Sequence, residues 1–196
     1  QQQQQNGYTR FREMLKHQSA QPVTVKLLDF VRRFPTGLSR NDAATRVHSF
    51  LKGMQNWMLS EISVFAADVD EESRTNAIEG LEKFLVSRLY QKIFATDVRD
   101  REEDALLETR CASLSWVSFE QLGMPPVEQS LLTLAIRQLH CVDDYKAPRD
   151  KLVCILNASR VINDVLKRTL EDAGAAGRPL SADDFLPLLI YSVLKA

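Results

Sequence analysis

The sequence predicts an all-α protein, and three observations carry that expectation. Gly and Pro are scarce, seven of each in 196 residues, so helix breakers are few. Alternating β-branched runs, the mark of half-buried strands, are nearly absent. Apolar residues instead recur at steps of three and four, most clearly Val47, Phe50, Leu51, Met54, Trp57, Met58, Ile62 and Phe65. That spacing gathers them on one side of a helix, to be buried against other helices. The length suits one or two domains with a sizeable core.

Residues 1–7, QQQQQNG, are low in complexity and are expected to be disordered. From Tyr8 to Gln18, Phe11, Met14 and Leu15 share one helical face. Val25, Leu28, Val31 and Phe34 form a second stripe, stopped at Pro35-Thr36-Gly37. Ser39 to Ala66 is the longest helical candidate. Residues 8–67 therefore read as a helical bundle of three or four helices. The polar, acidic run Asp68 to Asn76, DVDEESRTN, reads as a linker. Its carboxylates lack the glycine turn of a calcium loop, so it is not expected to bind metal.

A second domain is expected over 77–196. Ala77 to Ala95 reads as a helix through Ile78, Leu81, Leu85, Leu89, Ile93 and Phe94. Arg101 to Trp116 is acidic at its start and apolar at Leu106, Leu107, Cys111 and Leu114. A turn at Gly123-Met124-Pro125-Pro126 follows. Val127 to Val142 is amphipathic through Leu131, Leu134, Ala135, Leu139 and Val142. Pro148 suits the first position of the next helix, where its missing N–H costs nothing, and Asp150 follows in the favourable first turn. Leu152, Ile155, Leu156, Ile162 and Leu166 mark the apolar face expected there. Ala173 to Pro179, AGAAGRP, reads as a loop.

The last stretch, Ser181 to Ala196, is the candidate working part. From Phe185 on, only Ser192 and Lys195 are neither apolar nor proline, so the helix is expected to lie buried in the middle of its domain. Ser181 with Asp184 is a capping-box pattern. Asp183 sits between them and is not needed for the cap. Pro187 falls at the sixth helical position, and its missing N–H deprives the carbonyl of Asp183 of its usual partner. On spacing alone Asp183 has two roles open, a partner for the positive end of the helix dipole or a working carboxylate.

Charge and cysteine usage limit the function classes. With 25 Lys and Arg against 26 Asp and Glu, net −1, nothing basic points to nucleic acid or an anionic membrane. Cys111, Cys141 and Cys154 form no CxxC pair and lie among apolar residues, which reads as buried free thiols in a reducing cytosol. With no basic region followed by an apolar one near residue 1, no signal peptide is expected, and no apolar run approaches the roughly 20 residues that span a bilayer. His17, His48 and His140 are isolated and suggest no metal site. No nucleophile or general base is apparent, so neither a cofactor nor bond-making chemistry is expected.

Three motifs, in order, carry a family resemblance: EGLEKFLVSRLYQKIF, YKAPRDKLVCILNASRVI and ADDFLPLLIYSVLKA. From about Asn76 onward the chain resembles the Vps-nine domain, the vacuolar-protein-sorting exchange-factor domain of Rabex-type proteins. The preceding bundle is similar in placement to the one that buttresses this domain. The resemblance implies a layered multi-helix domain and a guanine nucleotide exchange factor for Rab-five-subfamily GTPases, cytoplasmic and recruited to endosomal membranes. It implies that Asp183 is the acidic finger and that Pro187, Asp184 and Asn157 belong to the GTPase-binding surface. The family continues into further helices bearing a contact tyrosine, which Tyr191 does not match. The domain is thus expected to lack its last helices here. A catalytically inactive adaptor of the same fold is the alternative, since function resides in the site and not the fold.

Overall fold

The structure, a computed structural model, describes residues 2–66, 70–124, 127, 129–172, 174 and 179–196, with the backbone alone for residues 2–6 and 129. Every regular element among them is helical, as the composition predicts. The chain divides into two compact units, residues 1–101 and 102–196.

The first unit contains α1 (Gln2–Met14), a short 3-10 turn at Gln18–Ala20, α2 (Gln21–Arg33), α3 (Arg40–Glu61), α4 (Ser63–Ala66) and α5 (Glu71–Ile93). Local chemistry sets several starts. Pro22 stands in the first turn of α2, where no N–H is missed. Ser39 caps α3, its Oγ accepting the Asp42 N–H at 3.1 Å. Asp70 caps α5, its Oδ1 accepting the Ser73 N–H at 2.6 Å. That bond, with a second from the Ser73 side chain, holds the Asp70 carboxyl below its ordinary value of 3.8.

Helix α5 packs against α1, α2 and α3. Phe11 of α1 is almost wholly buried, with the Phe65 ring 5.9 Å away and the Phe84 ring 6.4 Å away. It lies over Gly80, where a Cβ would overlap the Phe11 Cβ and Cγ. Four residues earlier on both helices, Gly7 meets Asn76. The equal step means that α1 and α5 run side by side in the same direction. Lys92 of α5 donates to the carbonyls of Val31 at 3.1 Å and Phe34 at 2.9 Å, closing the C-terminal end of α2.

Three expectations change here. The tract expected to be disordered is helical from Gln2. Glutamine is a good helix former, and Gly7 and Phe11 seat the helix on α5. The acidic run read as a linker contains the cap and first turns of α5, which contributes Ala77, Leu81, Phe84, Leu85 and Leu89 to the core of the first unit. The compact unit thus extends past the expected boundary; residues 67–69 of that stretch lie outside the described residues. On α2, Val23, Leu27 and Phe34 are buried, while Val25 and Leu28 of the expected stripe are exposed.

The unit boundary falls in α6 (Val98–Ser113). The second unit continues with α7 (Gln129–His140), α8 (Pro148–Asp172) and α9 (Ala182–Lys195), the last three packed on one another. Helix α8 begins at Pro148, as its missing N–H predicts. Leu132, Ala135, Ala158, Ile162, Val165, Leu166, Leu188 and Tyr191 form the core. Two faces differ from expectation. Helix α6 buries none of its residues. On α8 the buried line is Cys154, Ala158, Ile162 and Val165, whereas Leu152, Ile155 and Leu156 are exposed. Ala135 and Ala158 are fully buried in the shared core of α7, α8 and α9, and the larger side chains at 152, 155 and 156 lie off that line. Of the cysteines expected to be buried, only Cys154 is; Cys111 and Cys141 are partly exposed, and all three are free. Much of the loop read at 173–179, like the two prolines of the 123–126 turn, lies outside the described residues. No described helix is long and apolar enough to cross a membrane.

Candidate functional site

The N-terminus of α9 is built by its own first turn. Ser181 is extended at φ −106° and ψ 162° and serves as the N-cap. Its Oγ accepts the Asp184 N–H at 3.2 Å and donates to Asp184 Oδ2 at 2.6 Å. Asp184 Oδ2 in turn accepts the Ser181 N–H at 3.1 Å. The capping box read from the sequence is therefore present, and it is complete without Asp183. Asp183 is exposed on the same turn, at the end of the helix where the dipole favours a negative charge. Pro187 follows one turn later, partly buried inside the helix.

The rest of α9 is two-faced. Leu188, Tyr191 and Ser192 are buried. Tyr191 stacks on Phe119, centroids 4.2 Å apart, and the Ser192 hydroxyl donates to the Leu188 carbonyl at 2.8 Å. Lys195 donates to the Ser115 carbonyl. On the other side, Leu186 is 53%, Ile190 39% and Val193 45% exposed. The expectation of a helix buried all round is thereby corrected. An apolar composition permits burial on every side, but α7 and α8 cover only one. Asp183, Leu186, Ile190 and Val193 are spaced by three, four and three, which places them on one stripe. An exposed carboxylate heads a row of exposed apolar side chains.

The structure brings Asp183, Asp184 and Pro187 together on the first two turns of α9. Asn157 lies on α8, where its Nδ2 donates to Gln138 Oε1 of α7 at 3.3 Å. Leu186, Ile190 and Val193 escaped the reading of the sequence because apolar residues lie on every side of this helix after its first turn. The available signal was their spacing from Asp183. The arrangement offers charge and apolar surface to a partner.

Comparison with known proteins agrees with these observations. Residues 132–196, covering nearly all of α7 together with α8 and α9, match the family described as the vacuolar sorting protein 9 (VPS9) domain. Residues 26–90, within the first unit, match a domain of unknown function, DUF5601. The Schizosaccharomyces pombe vacuolar protein sorting-associated protein vps901 is 31% identical over 95% of this chain and 34% of its own length. The vacuolar protein sorting-associated protein 9A of Oryza sativa subsp. japonica is 32% identical over 95% of this chain and 39% of its own. The human Rab5 GDP/GTP exchange factor is 35% identical over 65% of this chain and 26% of its own. The chain thus spans between about a quarter and two fifths of the length of these relatives. With the matched span ending in the helix that carries Asp183, the chain belongs to the VPS9-domain family.

Proposed function

We propose that this chain accelerates GDP release from a Rab-five-type small GTPase, with Asp183 as the acidic finger that enters the nucleotide site. The observation that carries the proposal is the placement of Asp183, exposed outside the capping box at the head of the Leu186–Ile190–Val193 stripe. The relative named a Rab5 GDP/GTP exchange factor supports the choice of partner.

The chemistry follows from what holds GDP. A GTPase binds it through its phosphates, a magnesium ion and a P-loop lysine. A carboxylate brought into that site repels the phosphates, competes for the magnesium and pairs with the lysine. It therefore favours the nucleotide-free state over the GDP-bound one, and that differential affinity drives release. The apolar stripe supplies affinity common to both states, while Asp183 supplies the discrimination. No bond is made or broken in the nucleotide, so the mechanism calls on no cofactor of the chain's own. In this reading Asp184 and Pro187 border the contact. Asn157 joins it from α8, where its amide would exchange Gln138 for the partner. The chain acts in the cytoplasm and reaches endosomal membranes through other molecules.

Release of fluorescent GDP from a panel of Rab GTPases tests this reading. Acceleration that rises with chain concentration for Rab-five-type members, and not for distant ones, is expected. Binding without acceleration would make the chain an adaptor, and acceleration across the whole panel would remove the assigned specificity.

A further inference from the structure

Cys141, just past the end of α7, and Cys154, in the second turn of α8, are two cysteines that the exchange reading does not use. Their relation follows from the register of the helices. Gln138 bonds Asn157 across the pair at 3.3 Å. Lys151 donates to the Val142 carbonyl at 2.7 Å. Further along the pair, Leu132 and Ala135 share one core cluster with Ile162 and Ala158. The two hydrogen bonds join positions that sum to 295 and 293, so α7 and α8 run antiparallel with residue i opposite about residue 294 − i. Cys141 and Cys154 satisfy that relation. Each also stands three residues from the Gln138–Asn157 bond, on the same side of its helix, so both face the seam. Cys154 is fully buried and Cys141 is partly exposed.

We infer that Cys141 and Cys154 form a reversible disulfide that staples the C-terminal end of α7 to the second turn of α8 when the chain meets a peroxide. Cys141 is the thiol that a peroxide reaches. Its sulfur takes one oxygen, giving a sulfenic acid and releasing water from hydrogen peroxide. The Cys154 sulfur then attacks the Cys141 sulfur, the S–OH bond breaks, and a second water leaves with the Cys154 proton. Two thiols are oxidised by two electrons and one peroxide is reduced. A dithiol reductant reverses the step by exchange.

The electrostatic surroundings agree with this division of labour. Burial first, and then the neighbouring Cys141 thiol, push the Cys154 thiol above its ordinary value, which makes Cys154 the less reactive of the two toward peroxide. Tyr145 is raised by burial and next by Cys154 and Cys141, so both thiols act on the same neighbouring group. The loop to be closed is short, and its ends lie opposite each other in the register of the two helices.

The test maps thiols on the native chain. Fully reduced chain, freed of reductant, is exposed to hydrogen peroxide, denatured, alkylated and digested. Two thiols lost per monomer, a linked peptide pair containing Cys141 and Cys154, and recovery with dithiothreitol are expected. Cys111→Ser should form the same link. In Cys141→Ser, the oxidation of Cys154 should slow at least tenfold. Treatment in denaturant gives the baseline, and the native chain should exceed it in the yield of this one link. Full alkylation of Cys154 after Cys141 has been oxidised would overturn the inference, as would a link from Cys141 to Cys111 or to a second chain.

Discussion

The two units spend their apolar residues differently. In the first, Phe11, Leu27, Met58, Leu81, Leu85 and Leu89 are all but sealed from solvent. Apart from Val25 and Leu28 of α2, the large apolar side chains named for its helices pack inward, and Gly80 yields space so that Phe11 can sit flush on α5. In the second, Leu152, Ile155 and Leu156 of α8 and Leu186, Ile190 and Val193 of α9 remain exposed. Helices α3, α5 and α8 are similar in apolar content, yet such helices do two jobs. The first set closes a core; the second closes a smaller core and keeps one apolar stripe outside, headed by Asp183. Composition does not separate the two jobs, whereas the covered face does.

The largest expected effect breaks the first unit. Phe11→Ala removes a ring lodged among Phe65, Phe84 and Gly80 and should cost about 3–5 kcal/mol in chemical denaturation. A loss under 1 kcal/mol would show that α1 is not part of that core. Within the second unit, Leu188→Ala and Ile190→Ser sharpen the contrast on a single helix. Leu188 is fully buried, so its truncation should cost about 2–5 kcal/mol. Ile190 faces solvent, so Ile190→Ser should change stability by no more than about 0.5 kcal/mol, yet it should weaken GTPase binding. Equal destabilisation by the two would mean that the stripe is core after all.

Smaller effects come from helix starts. Asp184→Ala should lower stability by roughly 0.5–2 kcal/mol through loss of the capping box. An unchanged melting curve would remove the cap from the account. Asp70 contributes in a pH-dependent way. Its carboxyl titrates below the ordinary 3.8 in the folded chain, so its contribution is present above that value. It disappears as pH falls through the lower folded value. Acid titration of stability for the chain and for Asp70→Asn checks this. The difference between the two should be constant near neutrality and should change only below about pH 4.

What could be read from the sequence was local. Few breakers and the steps of three and four are enough for an all-α fold. Ser39, Pro148 and the Ser181–Asp184 box mark helix starts because caps act within one turn. The run DVDEES misled because acidic residues open helices as readily as they fill linkers; Asp70 with Ser73 is a cap signal. Faces were harder. Leu152 and Ile155 look like core until Ala158 is seen to bring α7 against the neighbouring line. The pairing of Gly80 with Phe11 spans 69 positions, and no local pattern encodes it. At the site, Asp183 and its separation from the cap were legible. The exposed stripe was not, because a helix with apolar residues on every side gives little sign of which side its neighbours leave bare.

The central claim is that two adjacent acids divide the work, Asp184 holding the helix and Asp183 acting on the partner. GDP release from a Rab-five-type GTPase should therefore be measured for the chain, Asp183→Ala and Asp184→Ala, with a melting curve for each. Asp183→Ala should lose exchange while its stability changes by at most about 1 kcal/mol, the value of an exposed first-turn acid. Asp184→Ala should melt lower yet retain exchange below its melting point. Near-normal exchange by Asp183→Ala, or equal loss of activity in both variants at equal stability, would contradict the account.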